Sequence, residues 1–334
     1  MNLAHRWARI SALILTLAAT GCAQKKQPEL TPVSLRQEWF PNANYAGAVT
    51  ARDEFAAANG IVLEIKPGSD NVDPIKTVLA GSDDFADAAA DRVIAANAKG
   101  ADLVVVGVVN LDSPVCFLTR KKDHISSPQD FVGRRVGILT GTTTEYVYRA
   151  LVNRQHLDSK RIHELEVPFD LGTFVTGAYD VRPAFIYDEP VSMDTTGIAY
   201  TILSPKDYGV HFLGTVYFTR GALVRKNPDL VRRFVRTVAD GWRATIKYPD
   251  KALDHLHKYD PSLDMVREAK SLALARPYME GRNQRPLDAN LADWDDTVAA
   301  LRQLGVIDSL DVRTLFDDSF IKRYYNELDD KSRR

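Results

Sequence analysis

Leu103 to Val109 reads LVVVGVV, a near-continuous β-branched run. Such a strand expects cover on both faces, which is the habit of parallel sheets flanked by helices. The segments before it alternate accordingly. Ile61 to Ile65 is a strand ended by Lys66-Pro67-Gly68, Val72 to Leu79 a short helix stopped at Gly81, and Asp84 to Asp87 a brief strand or turn. A helix then runs to Ala98, with Gly100 as its stop. Strand and helix taking turns predict βαβ units, an α/β fold and a mainly parallel sheet.

In open α/β sheets, small ligands bind where strands end and helices begin. Two such corners stand out. In Leu35 to Gly47 (LRQEWFPNANYAG), a strand through Leu35, Gln37 and Trp39 is stopped by Pro41, and a helix starts at Tyr45. Trp39 either stacks on a flat ligand or packs in the core. Asn42 and Asn44 either bond a heterocycle or cap the helix, and Tyr45 is open between stacking and packing. The second corner follows the strand Val136 to Leu139: Thr140-Gly141-Thr142-Thr143-Thr144-Glu145-Tyr146. Hydroxyls and free amides at a helix start suit an anion or a ring edge, and equally suit ordinary capping. Glu145 favours the helix dipole, and Tyr146 is a stacking candidate.

Further candidates are Ser113, a turn serine or a cleft residue, and the end of the predicted strand Ala184 to Tyr187. There Tyr187 divides between core and cleft. Asp188 and Glu189 are placed either to accept bonds from ligand amino groups or to form a hinge or surface ion pair. Thr201 to Leu203 and Tyr217 to Thr219 are later strands. Asn227-Pro228 opens a long helix with an apolar stripe through Leu230, Phe234, Val238 and Trp242. Helices punctuated by Pro261, Pro277, Pro286 and Gly305 complete the chain.

The first residues stand apart. His5, Arg6 and Arg9 precede an apolar run, Ile10 to Ala19, too short to span a bilayer, and Ala19-Thr20-Gly21-Cys22 follows. This resembles a bacterial lipoprotein signal over residues 1–22, with Cys22 lipidated; the alternative is a plain signal peptide. Residues 23–33 read as a polar tether. The protein is therefore expected to be exported, either periplasmic or held at a membrane by its N-terminal lipid. Cys116, in the apolar run Pro114 to Leu118, reads as a buried structural thiol. A formal net charge of -1 argues against nucleic-acid binding. No zinc spacing, hydrolase elbow, GxGxxG loop or HExxH occurs, so neither a metal nor a cofactor is expected, and no catalytic residue is assigned.

The order of Trp39-Phe40-Pro41 with Tyr45-Ala46-Gly47, Gly60 to Leu63, Pro67-Gly68, Leu79-Ala80-Gly81, Asp84-Phe85-Ala86, Asp130 to Gly137, Tyr187 to Val191 and Asn227-Pro228 to Trp242 resembles the solute-binding proteins of ABC importers. The resemblance spans roughly residues 34 to 260. It points to the branch that binds thiamine pyrimidine precursors, riboflavin, aliphatic sulfonates and nitrate. It implies a two-lobed periplasmic-binding-protein type II fold with mixed, mainly parallel sheets and two crossover strands. Lobe one is then residues 34–116 and 218–334, and lobe two 117–217, with crossings near Val115–Thr119 and Val216–Thr219. It also implies a small ligand in the cleft, an ABC permease as partner, a monomer and hinge closure. Fungal relatives that make the thiamine pyrimidine carry a Cys-Cys-Cys-Phe-Cys run, which this chain lacks. The aromatic and amide candidates favour a flat heterocycle such as an aminopyrimidine, with riboflavin next and an oxyanion after that. An envelope lipoprotein with a sensing or protein-contact role is the remaining alternative.

Overall fold

A computed structural model describes residues 29–69 and 71–333. The leader, Cys22 and the first part of the tether lie outside the described residues. Among the described residues ten strands form two sheets: β1 (Thr31–Arg36), β2 (Ile61–Lys66), β3 (Phe85–Ala89), β4 (Leu103–Val108), β5 (Val115–Arg120), β6 (Arg135–Ile138), β7 (His163–Glu166), β8 (Val181–Phe185), β9 (Tyr200–Leu203) and β10 (Thr215–Arg220). The first sheet is ordered β2-β1-β3-β10-β4 and the second β7-β6-β8-β5-β9.

Each sheet contains one reversed strand. β10 runs antiparallel to β3 and β4, and β5 antiparallel to β8 and β9, while β1 pairs in parallel with β2 and β3, and β6 with β7 and β8. The reversed strand is in each case the one that arrives from the other lobe. It enters from the edge where its neighbours end, so it must run against them. The chain changes sheet at residues 109–114 and 204–214. The expected crossing positions correct to these segments, since β5 lies wholly in the second sheet and β10 wholly in the first. The two connections are tied together: the Ser113 amide donates to Phe212 O at 2.5 Å, and the Gly214 amide to Asn110 O at 3.0 Å.

β1 ends at Arg36 rather than reaching Trp39. It begins early enough to include Pro32. The amides of Thr31 and Gln37 point to β2, so by alternation the missing N–H of Pro32 faces the other side, where β3 pairs only from Leu35 onward. Likewise β8 starts at Val181 rather than Ala184, and Pro183 fits because the ladder to β6 is limited to Val136↔Val181. Pro277 sits inside the Met265–Met279 helix instead of ending one. It falls in the last turn, so little helix remains beyond the i→i−4 bond it removes.

The first sheet is packed on one face by the helices Ala46–Thr50 and Pro228–Lys247. The predicted stripe is buried there, with Phe234 stacked on Phe85 at 3.7 Å between ring centroids. These two helices cross unusually closely. A Cβ on Gly47 would lie 2.1 Å from the Trp242 ring, and one on Gly241 2.4 Å from Gly47 O. Glycine at both positions is therefore a packing requirement. That crossing fixes the start of the first helix, and with it Tyr45. A second core joins the lobes: Val93 and Ile94 of lobe one and Phe117 and Tyr148 of lobe two belong to one apolar cluster.

Candidate functional site

Each corner contacts the opposite lobe at the carboxyl edges of the sheets. The Thr143 hydroxyl donates to Asp91 Oδ1 at 2.9 Å, linking the helix Thr143–Arg154 of lobe two to the helix Ala90–Ala98 of lobe one. Trp39 lies 6.5 Å from Phe169, the rings tilted by 40°. Both rings are accessible, Trp39 at 40% and Phe169 at 68%. Phe169 sits in the loop after β7, which Arg182 holds rigid. The Arg182 guanidinium is fully buried and donates to Pro168 O at 2.6 Å, Asp170 O at 3.2 Å and Phe169 O.

Behind Trp39 lies an acidic floor. The Glu38 amide donates to Asp87 Oδ1 at 3.0 Å. Glu38 itself accepts from Arg92 at 2.6 Å and from the Ala89 amide at 2.9 Å. The Tyr45 hydroxyl accepts the Trp39 amide at 2.9 Å. Burial holds Asp87 and Glu38 above the ordinary carboxylate range, with the Arg92 charge opposing the effect on Glu38. Burial, the Thr143 bond and the Glu38 charge leave Asp91 at about 7. Burial pushes Tyr45 and Tyr187 well up, and Glu38 and Asp87 add to both. Tyr187 of lobe two therefore stands close to the lobe-one carboxylates.

Of the expected site residues, Trp39, Tyr45, Tyr187 and Thr143 are brought together here. Tyr146 stands near Asp91, whose charge helps raise its hydroxyl. Asn44 is buried, with its Oδ1 unpartnered by protein. The others have structural employment. Asn42 caps the helical turn at Ala43–Tyr45, accepting from the Asn44 amide at 2.8 Å. Ser113 lies in the connection between the lobes, its hydroxyl accepting from Val115 N at 3.3 Å. Thr140 is exposed. Thr142 donates to Leu139 O at 2.7 Å and pairs with Thr144 at 2.8 Å. Glu189 accepts from Phe185 N at 2.8 Å and contacts Arg182 at 3.4 Å, so its carboxylate is spent within lobe two. Asp188 pairs with Arg267, and Tyr187 O accepts from Ser271 at 2.6 Å, clasping lobe two to the helix Met265–Met279.

The threonine corner is not an open anion site. Glu145 already accepts the Gly141 amide at 2.7 Å, and Asp91 faces Thr143. The carboxylates Glu38, Asp87 and Asp91 escape sequence reasoning, because an acid in a short Ala-rich stretch reads as solvated. The available signal is parity: Asp87 falls on the same face of β3 as Phe85, which is fully buried. Among the described residues no group of three or more His, Cys, Asp or Glu side chains converges to hold a metal ion. A cavity of about 460 Å³ lies beside the connecting segments instead, lined by Leu111, Asp112, Lys206, His211, Tyr278 and Arg282. There Asp112 hydrogen-bonds His211 and Arg282 pairs with Asp293, so the convergence of carboxylates and rings favours the cleft over it.

Known proteins resemble this chain over most of its length. The riboflavin-binding protein RibY of Chloroflexus aurantiacus is 24% identical over 315 residues, 90% of this chain and 88% of that protein. The 4-amino-5-hydroxymethyl-2-methylpyrimidine phosphate synthase of Legionella pneumophila is 23% identical, covering 86% of this chain and 92% of that enzyme. The putative sulfonate ABC transporter periplasmic binding protein SsuA of Methylobacillus flagellatus superposes with a TM-score of 0.69 at 15% identity, over 90% of this chain and 96% of that one. The fold is that of the periplasmic binding proteins. Residues 42–252, more than half of the chain, match the family described as NMT1/THI5 like, and the protein belongs to that family.

Proposed function

We propose that the protein is an extracytoplasmic solute-binding protein that captures a small planar heterocycle between its lobes and delivers it to an ABC permease. The observation that carries this is the contact each corner makes with the opposite lobe: Thr143 with Asp91, and Trp39 with Phe169. A flat ring can stack on these exposed aromatic faces. The floor's free carboxyl and carboxamide oxygens can accept N–H donors, and the threonine corner already holds the Glu145 carboxylate. An aliphatic sulfonate or nitrate needs donors aimed at its oxygens, and this cleft offers acceptors. An aminopyrimidine related to thiamine is therefore the first choice. Riboflavin is the second, supported by the similarity to RibY. Lipid anchoring through Cys22 and a monomeric state belong to the same proposal. No catalytic step is assigned.

Calorimetry of the purified protein with N-formyl-aminopyrimidine, riboflavin and taurine tests the ligand class. Heat with a heterocycle and none with taurine is the expected result. Heat with taurine alone overturns the choice.

A further inference from the structure

Beneath Trp39, two side chains are buried with polar atoms that no protein group satisfies. Gln37 is 0% exposed, and neither its Nε2 nor its Oε1 has a partner; Asp87 is 1% exposed, and its Oδ2 has none. Native proteins rarely leave such atoms unpaired, because each costs roughly 1–3 kcal/mol. The two belong together. The ladder between β1 and β3 ends at Arg36↔Ala86, so the next step sets Gln37 opposite Asp87. Tyr217 of β10 is opposite Asp87 on its other side. Val33, Leu35 and Phe85, of the same parity, face the lobe-one core, so Gln37 and Asp87 continue that face to the ligand edge. There the Glu38 amide, Tyr45 and the incoming Tyr187 surround them.

We infer that Gln37 and Asp87 form the specificity floor of the cleft and read an amidine-type edge, an amino group beside a ring nitrogen. This assignment rests on the cleft-binding function proposed above. A carboxamide oxygen accepts from such an amino group, as glutamine's does from the adenine amino group, which leaves the adjacent ring nitrogen to Asp87. Asp87 Oδ1 is occupied by the Glu38 amide, which leaves Oδ2 for the ligand. Burial favours the neutral acid at Asp87. An amidine can take that proton and return its own N–H donors, so the pair forms with no net charge brought into the site. A pyrimidinone offers no such basic edge.

The test compares 4-amino-5-hydroxymethyl-2-methylpyrimidine with the corresponding pyrimidin-4-one by calorimetry on wild type, Q37L, D87N and W39A. Wild type is expected to favour the amino probe by about tenfold or more. Q37L and D87N are expected to lose most of that preference, whereas W39A weakens both probes alike. Q37L removes two unpaired polar atoms, so its melting temperature is expected to hold or rise. That readout separates a ligand-directed glutamine from a structural one, whose loss would lower it. If Q37L and D87N keep the wild-type preference while W39A loses affinity, the floor assignment falls and the cleft-binding function stands. If wild type binds neither probe, the floor assignment falls, and the cleft-binding function falls with it if riboflavin gives no heat either.

Discussion

The two walls of the cleft are built on opposite terms. On the lobe-two wall nearly every polar group is spoken for. Thr142 bonds Leu139 and Thr144, Glu145 bonds the Gly141 amide, and Arg182 ties down the 168–170 loop. The lobe-one wall is left incomplete: Gln37, Asp87 and Asp91 all carry buried atoms without protein partners. A satisfied wall holds its shape whatever approaches. An unsatisfied wall stores a cost that a matching partner relieves. On the proposed function, recognition falls to lobe one, and shape and closure to lobe two.

The largest expected effect breaks the stiff wall. Arg182→Leu leaves the carbonyls of Pro168, Phe169 and Asp170 without their donor and Glu189 without its cation. Removing one member of such a buried network costs about 3–5 kcal/mol, which urea denaturation would read directly. Next comes Gly47→Ala, which drives a methyl into the Trp242 ring. Overpacking of this kind costs about 1–3 kcal/mol. It displaces Tyr45 as well, so affinity for a planar probe should fall along with the denaturation midpoint.

A subtler experiment sharpens the comparison through pH. Asp91 binds its proton more firmly folded, at about 7, than unfolded, near 3.8. Its contribution to stability is therefore full below the unfolded value and is lost as pH rises toward 7. Glu38, Asp87 and Glu189 are raised and act with the same sign. Melting temperature should fall between pH 5 and pH 8, and Asp91→Asn should flatten part of that slope. A profile identical to wild type would place Asp91 in water rather than at the closed interface. The smallest effect on stability belongs to Trp39→Ala. Its ring is 40% exposed, so the change should cost only about 1 kcal/mol, while binding of a planar probe drops about tenfold or more. A double-mutant cycle with Phe169→Ala should give a coupling of about 0.5–1.5 kcal/mol if the rings act across the cleft.

Much of this architecture is legible in the sequence because it is periodic. The β-branched run at Leu103, the stripe from Leu230 to Trp242 and the stops at Gly60, Gly81 and Gly100 each report local physics, and each is found where expected. The Trp39 and threonine corners are legible for the same reason: strand ends and helix starts leave local signatures. The acidic floor is not. Whether Asp87 meets water or a neighbouring strand is decided by β10, which lies more than a hundred residues away in the chain. Phe169 is equally silent, since its presentation depends on Arg182 reaching back from the next strand. Glu189 misleads in the opposite sense. It has the look of a cleft carboxylate until Arg182 and the Phe185 amide claim it.

The insertion of the whole second sheet between β4 and β10 of the first also sets an order of assembly. β5 to β9 are contiguous in the chain, so a polypeptide growing from its N-terminus has every strand of the second sheet available by Leu203. The first sheet must wait for β10, and the Phe85–Phe234 stack waits longer still. Loop closure across so long an insert is cheaper once the insert is compact. The later lobe to mature is then the one proposed to read the ligand, and an amber-truncation series ending between residues 204 and 250 would catch the second lobe folded beside an unfinished first.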